Sequence, residues 1–167
     1  MQSADTTYAI CVLNPDMGSG VSGIVKFVQT AGGKTIVNAT IKNLSAGKHG
    51  FHVHEFGNLS EGCKTAGPHF NPFKKTHGGP NDEERHIGDM GNVVSDGNSD
   101  TVLVYEDAVI ELTGINTIIG RSVVVHADED DLGRGNYEDS KTTGHAGARV
   151  ACGVIGLSSA FEFSKPN

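Results

Sequence analysis

The chain has 167 residues, 37% of them hydrophobic, a formal net charge of −7 and 23 glycines. That size suits one domain spanning 1–167. The acidic balance argues against a nucleic-acid partner, and the absence of any apolar run near about 18 residues argues against a membrane-spanning helix. In chain order, Met1-Gln2-Ser3-Ala4-Asp5 carries neither a basic start nor an apolar run. No secretory leader is therefore expected, and the cytoplasm is the expected address. Residues 8–13 read as a first strand, and 21–30 as a second after the turn-like Asn14-Pro15-Asp16-Met17-Gly18. In 35–41, Val37, Ala39 and Ile41 share one face at period two. Strands at 50–54, 91–94, 101–106, 122–126 and 153–155 bring the count to eight. Frequent glycine and no helical period predict an all-β sandwich or barrel.

Two segments break the alternation, 55–88 and 127–149. Both exceed the roughly 12–15 residues beyond which a structureless connection is unusual. They hold histidine, aspartate, proline, glycine and aromatic residues, which favours ordered functional loops over floppy insertions. The three cysteines, Cys11, Cys63 and Cys152, have no CxxC spacing, so a thiolate zinc site is not expected. Their spacing alone does not decide between free thiols and a disulfide. The sequons at Asn38, Asn43 and Asn58 carry no weight without secretion.

The eight histidines are the informative residues. His52 and His54 flank Val53 on an expected strand, so both imidazoles point to one face and can reach one ion. Alone, such a pair reads more readily as two half-exposed polar side chains. His126 ends the apolar run Val123-Val124-Val125 and offers a third imidazole. The first long loop adds His69, His77, His86 and Asp89, a set suited to tetrahedral zinc. All-imidazole ligation suits copper, and imidazole with carboxylate suits zinc.

At this point the sequence resembles a known family. Gly50-Phe51-His52-Val53-His54-Glu55-Phe56-Gly57 is similar to the copper-site signature of the copper,zinc superoxide dismutases. Cys152-Gly153-Val154-Ile155-Gly156 and the residues before it resemble the family's second signature. Between them stand Pro68-His69-Phe70-Asn71-Pro72, His77-Gly78-Gly79-Pro80, Asp82-Glu83-Glu84-Arg85-His86-Ile87-Gly88-Asp89 and Asp130-Asp131-Leu132-Gly133, so the resemblance covers nearly the whole chain.

The resemblance implies an eight-stranded Greek-key β-sandwich or barrel with two long functional loops. It implies copper and zinc as cofactors, one of each per subunit, and superoxide as substrate. His52, His54, His69 and His126 match the copper ligands; His69, His77, His86 and Asp89 match the zinc ligands, with His69 shared. Asp130 matches a carboxylate that holds the free nitrogens of one histidine from each site. Arg149 matches the guanidinium beside copper, and Cys63 and Cys152 match an intrasubunit disulfide. His49 matches a structural histidine. Cys11 is expected to be a buried thiol. The family also implies a homodimer using Gly57, Ile119 and residues 153–156, and admits a copper chaperone as partner.

The sequence departs from the family around the presumed channel. Lys141-Thr142 stands where relatives often carry Thr-Lys, and Asp128 where some carry lysine; Glu138 and Asp139 match the usual acidic pair. Arg149, with Lys141 and Thr143, is expected to guide an anion against the negative net charge. His145 stands where the family usually has asparagine; a hydrogen-bonding role in the loop is expected, not a third metal site. Two competing readings are a copper-delivery module, which lacks support because no CxC tail or extra thiol-rich domain is present, and a zinc-stabilised binding protein without copper.

Overall fold

Alternating burial organises the first part of a computed structural model that describes residues 5–162. Residues 1–4, read above for a leader, lie outside the described residues. Strands β1 (Thr6–Pro15), β2 (Ser22–Thr30) and β3 (Thr35–Lys42) form an antiparallel meander. Thr35, Val37, Ala39 and Ile41 of β3 all point inward, every second residue, as period two requires. The chain continues through β4 (Gly47–His54), β5 (Ser60–Cys63), a single 3-10 turn (Lys64–Ala66), β6 (Asp89–Ser95), β7 (Thr101–Asp107), β8 (Ser122–His126) and β9 (Arg149–Ser158).

Eight of these strands form one sheet in the order β6-β4-β8-β9-β1-β2-β3-β7. All its neighbours run antiparallel. The end strands β6 and β7 pack on each other, so the sheet rolls into a nearly closed barrel. The β3–β4 and β7–β8 connections each pass over intervening strands, which is Greek-key winding. The core holds Leu13, Phe27, Ile41, Phe51, Ile118 and Ile155, all essentially inaccessible to water. Each such side chain contributes roughly 1.5–3 kcal/mol on burial. Cys11 is buried among them, and burial pushes its thiol up to about 12, so it behaves as an inert small hydrophobe.

Other strand ends shift by one or two residues, so that Asp89, expected in the first long loop, opens β6; three elements differ more from expectation. β5 lies inside the first segment read as loop; Ser60-Glu61-Gly62-Cys63 is too short and polar to show a period. β9 runs ten residues where three were expected, because Gly153 and Gly156 interrupt its apolar signal. Arg149 therefore opens a strand and does not end a loop. β4 starts three residues earlier than expected and carries His49, whose ring nitrogens lie 2.9 Å from the His126 carbonyl and 2.8 Å from the Ser45 carbonyl. It thus links backbone segments, the structural role expected of it.

The outer surface of the barrel is unevenly covered. Val12, Ile24 and Val102 on β1, β2 and β7 face water. On β4 and β8 both faces are buried: Phe51, Val53, Val123 and Val125 point into the core, while His52, His54 and His126 are buried outside it. The long connections β4–β6 and β8–β9 supply that outer cover.

Candidate metal centre

Strand pleat places His52 and His54 on the same face of β4. Two register shifts adjust the neighbours: one between Gly50 and His52 against β6, one between Val125 and His126 against β9. Such bulges bend a strand and re-aim a side chain. The first long loop is tied back to β4 by Phe70 N to Val53 O (2.9 Å), Val53 N to Gly88 O (2.9 Å) and Glu55 N to Pro68 O (2.8 Å). This brings the loop residue His69 into a bridge with His54. A disulfide between Cys63 and Cys152, Cα atoms 5.8 Å apart, fastens the same loop to β9.

Among the described residues three groups of donor atoms result, of which the smallest, His52, His77 and Asp130, is closed by its own hydrogen bonds. His52, His54, His69 and His126 converge, with one ligand atom from each lying within 4.8 Å of the others. His69, His77, His86 and Asp89 converge equally closely. His69 belongs to both. Its Nδ1 lies 3.1 Å from Asp89 Oδ1 and 3.2 Å from His86 Nδ1, in the second group. Its Nε2 is buried with no hydrogen-bond partner.

Hydrogen bonds fix which nitrogen of each ring is left bare. His54 Nδ1 donates to Gly67 O (2.8 Å) and His126 Nδ1 to Gly147 O (3.1 Å), so both Nε2 lone pairs face the first group, 3.4 Å apart. His52 Nε2 and His77 Nε2 donate to the two oxygens of Asp130, at 2.6 and 2.7 Å. His52 Nδ1 is thereby left as a buried nitrogen without a partner. Orphaned buried polar atoms are costly and call for a ligand. Asp130 is itself held by Leu132 N on Oδ1 and by a reciprocal pair of hydrogen bonds with Asn92. Asp89 Oδ2 accepts from Gly78 N and His86 N, which leaves Oδ1 facing His69, His77 and His86.

The two larger groups differ in charge. No carboxylate belongs to the first, and burial pushes His52, His54 and His69 well below the usual imidazole range and His126 to about 4. These rings are therefore neutral ligands at physiological pH. In the second group burial also opposes charge, but hydrogen bonds to Asp130 and Asp89 outweigh it and raise His77 to about 9. Burial likewise opposes ionisation of Asp89, yet bonds from His69, His77 and His86 hold it far below the carboxylate range. One group offers four neutral nitrogens; the other offers three nitrogens and an anionic oxygen and attracts a cation. That donor chemistry fits copper in the first and zinc in the second.

The remaining expected site residues take several positions. Arg149 is half-buried, donates from NH1 to the Cys63 carbonyl at 2.9 Å, and adds to the downward push on His54 and His126. The disulfide thus pins the carbonyl that holds this guanidinium. Lys141 and Thr142 line a cleft of about 590 Å³ with Lys75, Arg121 and the edges of His69 and His86. Lys141 thus shares a cleft with His69 and His86, whereas Arg149 acts electrostatically on His54 and His126. The Thr143 hydroxyl is taken up by Asp139, at 3.3 Å from both its carbonyl and Oδ2. His145 joins no metal-competent cluster among the described residues and bonds Asp139 at 2.7 Å, the loop role expected of it. Sequence reasoning missed Asn92 and the carbonyls of Gly67 and Gly147. Carbonyls leave no mark in residue type, and an asparagine on a half-buried strand carries no distinguishing signal.

Comparison with known proteins agrees with this geometry. Residues 21–155 match the family described as copper/zinc superoxide dismutase (SODC). A relative named Superoxide dismutase [Cu-Zn] 5 from Dictyostelium discoideum is 55% identical over 151 residues, covering 90% of this chain and 97% of the relative. Superoxide dismutase [Cu-Zn] of Saccharomyces cerevisiae is 52% identical over 151 residues, covering 89% and 97%.

Proposed function

The chain belongs to the copper/zinc superoxide dismutase family, and from that membership we propose an oxidoreductase, one domain over 1–167, that converts two superoxide ions and two protons to dioxygen and hydrogen peroxide. Its cofactors are copper and zinc, one of each per subunit. His52, His54, His69 and His126 would hold copper, and His69, His77, His86 and Asp89 would hold zinc. Copper supplies the one-electron couple that disproportionation needs, and zinc supplies fixed positive charge without redox chemistry.

The chain's own residues do the rest. Asp130 takes the Nε2–H of His52 and of His77, which leaves His52 Nδ1 bare and turns His77 Nδ1 toward Asp89, and the Gly67 and Gly147 carbonyls leave Nε2 of His54 and His126 free to face the first group. His69 Nε2 is the candidate site for passing a proton to the product, since it is buried beside the copper group and has no competing partner. Arg149 presents a fixed cationic fork for a small anion, with Lys141 and Thr143 at the loop that would guide it.

The observation that carries this reading is the sharing of His69: one ring nitrogen faces each group of donors. Metal analysis with a dismutase assay tests it. One copper and one zinc per chain, with activity lost on copper removal and on His69→Ala, is expected. Full activity after copper removal would refute it.

We also propose a homodimer, supported by the apolar residues Val12, Phe56, Val154 and Leu157 exposed on β1, β9 and the start of the first loop. Gly57 borders this face, since a Cβ there would lie 3.4 Å from the Val154 side chain. Sedimentation at the mass of two 17.5 kDa chains is expected, and a monomer at all concentrations contradicts it. No helix among the described residues is long and apolar enough to cross a membrane. A cytoplasmic address and loading by a copper chaperone complete the proposal. Fractionation outside the cytoplasm, or full copper occupancy in cells lacking such a chaperone, would count against them.

A further inference from the structure

His145 adopts φ 54°, a left-handed backbone in which a non-glycine residue is strained. Its ring is held on two sides. It lies flat on Tyr137, centroids 3.6 Å apart and planes 7° from parallel. Its Nδ1 donates to Asp139 Oδ1 at 2.7 Å. Asp139 is fixed in turn, because its carbonyl accepts from the backbone N–H of Thr142 and Thr143. Tyr137 N donates to the Ser140 hydroxyl, which donates to Asp131.

The residues on either side of His145 press on the metal centre. Gly144 passes so close to the Asp130–His77 hydrogen bond that a Cβ would overlap the Asp130 carboxylate and His77 Nε2. Its carbonyl accepts from Asp131 N at 2.9 Å. Ala146 is fully buried against Gly50, and its carbonyl accepts from Asp128 N. The Gly147 carbonyl takes the N–H of His126. Within 144–147, two residues are glycine and Ala146 is buried, so the His145 ring is the segment's anchor to the turn 137–140.

We infer that Tyr137, His145 and Asp139 form a clasp that holds 144–147 down on Asp130, His77 and His126. His145 is a positioning residue. It acts through Gly144 and Gly147 to keep the N–H groups of His77 and His126 bonded and their other ring nitrogens aimed inward. The asparagine that the family resemblance places here tolerates the left-handed backbone but offers no ring face. In this chain Tyr137 supplies a matching face for histidine. The catalytic consequence rests on the two-metal reading above; the mechanical one does not.

The test is NMR hydrogen exchange of imidazole N–H protons in the reduced, diamagnetic holoprotein. His145→Ala and Tyr137→Ala should speed exchange at His77 Nε2–H and His126 Nδ1–H by about tenfold or more, as local opening becomes easier. His54 Nδ1–H, bonded to Gly67 on the other loop, should keep its rate. Tyr137→Phe, which retains the stack, should match the parent in exchange and in kcat/KM. Unchanged exchange at His77 and His126 overturns the clasp. Equal acceleration at His54 also overturns it, because the effect is then general loosening. The selective pattern in a parent without dismutase activity would support the clasp and sink the metal reading alone.

Discussion

On β1, β2, β3 and β7, one face of each strand meets the core and the other meets water. On β4 and β8, both faces are covered, the inner by the core and the outer by two long connections. The same pleat therefore does different work in the two halves. In the first it builds a hydrophobic interior. In the second, every other residue is free to be histidine, because its outward face lies under a roof that excludes water and supplies the remaining ligands. The uncovered half carries stability, and the roofed half carries chemistry placed on a rigid floor.

Separating the roof from the floor gives the largest expected effect. Removing the metals and reducing Cys63–Cys152 should lower the melting temperature sharply. The disulfide spans 89 residues, worth about 4–5 kcal/mol in the chain-entropy model. Equal melting of the reduced metal-free protein and the oxidised holoprotein would show that the roof contributes nothing to the fold. Next comes the uncovered half: Phe27→Ala should cost about 3–5 kcal/mol of stability, read by denaturant unfolding. The protein that remains folded should keep its kcat/KM, and a matching loss of kcat/KM would erase the distinction between the halves.

Substitutions under the roof should strike metal binding as well as the fold. Asp130→Ala strands the N–H groups of His52 and His77 together, so metal affinity should fall about 10–100-fold and metal-free stability should fall too, since two buried donors lose their acceptor. Competition with a chelator measures it; unchanged affinity would remove Asp130 from its assigned place. Acid titration of the metal-free protein sharpens the same point. The rings of His52, His54, His69 and His126 are depressed, so they hold fewer protons folded than unfolded. Their contribution is present above about 6.5, the unfolded imidazole value, and is lost as pH falls, down to about 4 for His126. His77, raised to about 9, runs the other way: its contribution is complete below about 6.5 and is lost as pH rises through about 9. Urea midpoints should therefore fall from pH 7 to pH 5; a flat profile contradicts neutral buried rings. The smallest expected effect belongs to Lys141. Lys141→Ala should flatten the ionic-strength dependence of kcat/KM, and an unchanged salt slope would leave steering to Arg149.

The uncovered half was the easier to read from sequence. Val37, Ala39 and Ile41 announce β3 because water on one side enforces alternation. β9 was mostly hidden, since Gly153 and Gly156 interrupt its apolar run; at Gly153 packing leaves no room, because a Cβ would overlap the Val12 carbonyl. β5 was hidden by its polarity. At the centre, residue type pointed to the candidate ligands, and the family resemblance grouped them. Neither could supply the Gly67 and Gly147 carbonyls that set the tautomers of His54 and His126, because every residue has a carbonyl. Nor could they show that Lys141 lines the same cleft as His69 and His86, which depends on how the second loop turns over the first.

His69 as the ring common to both metals is the claim on which the roofed half turns. Anomalous X-ray diffraction from the metal-loaded protein, collected at the copper and zinc edges, addresses it directly. A copper peak beside Nε2 of His69 and a zinc peak beside Nδ1 are predicted. Two metals with His69 bound to only one of them, or a single metal occupying both groups, would contradict it.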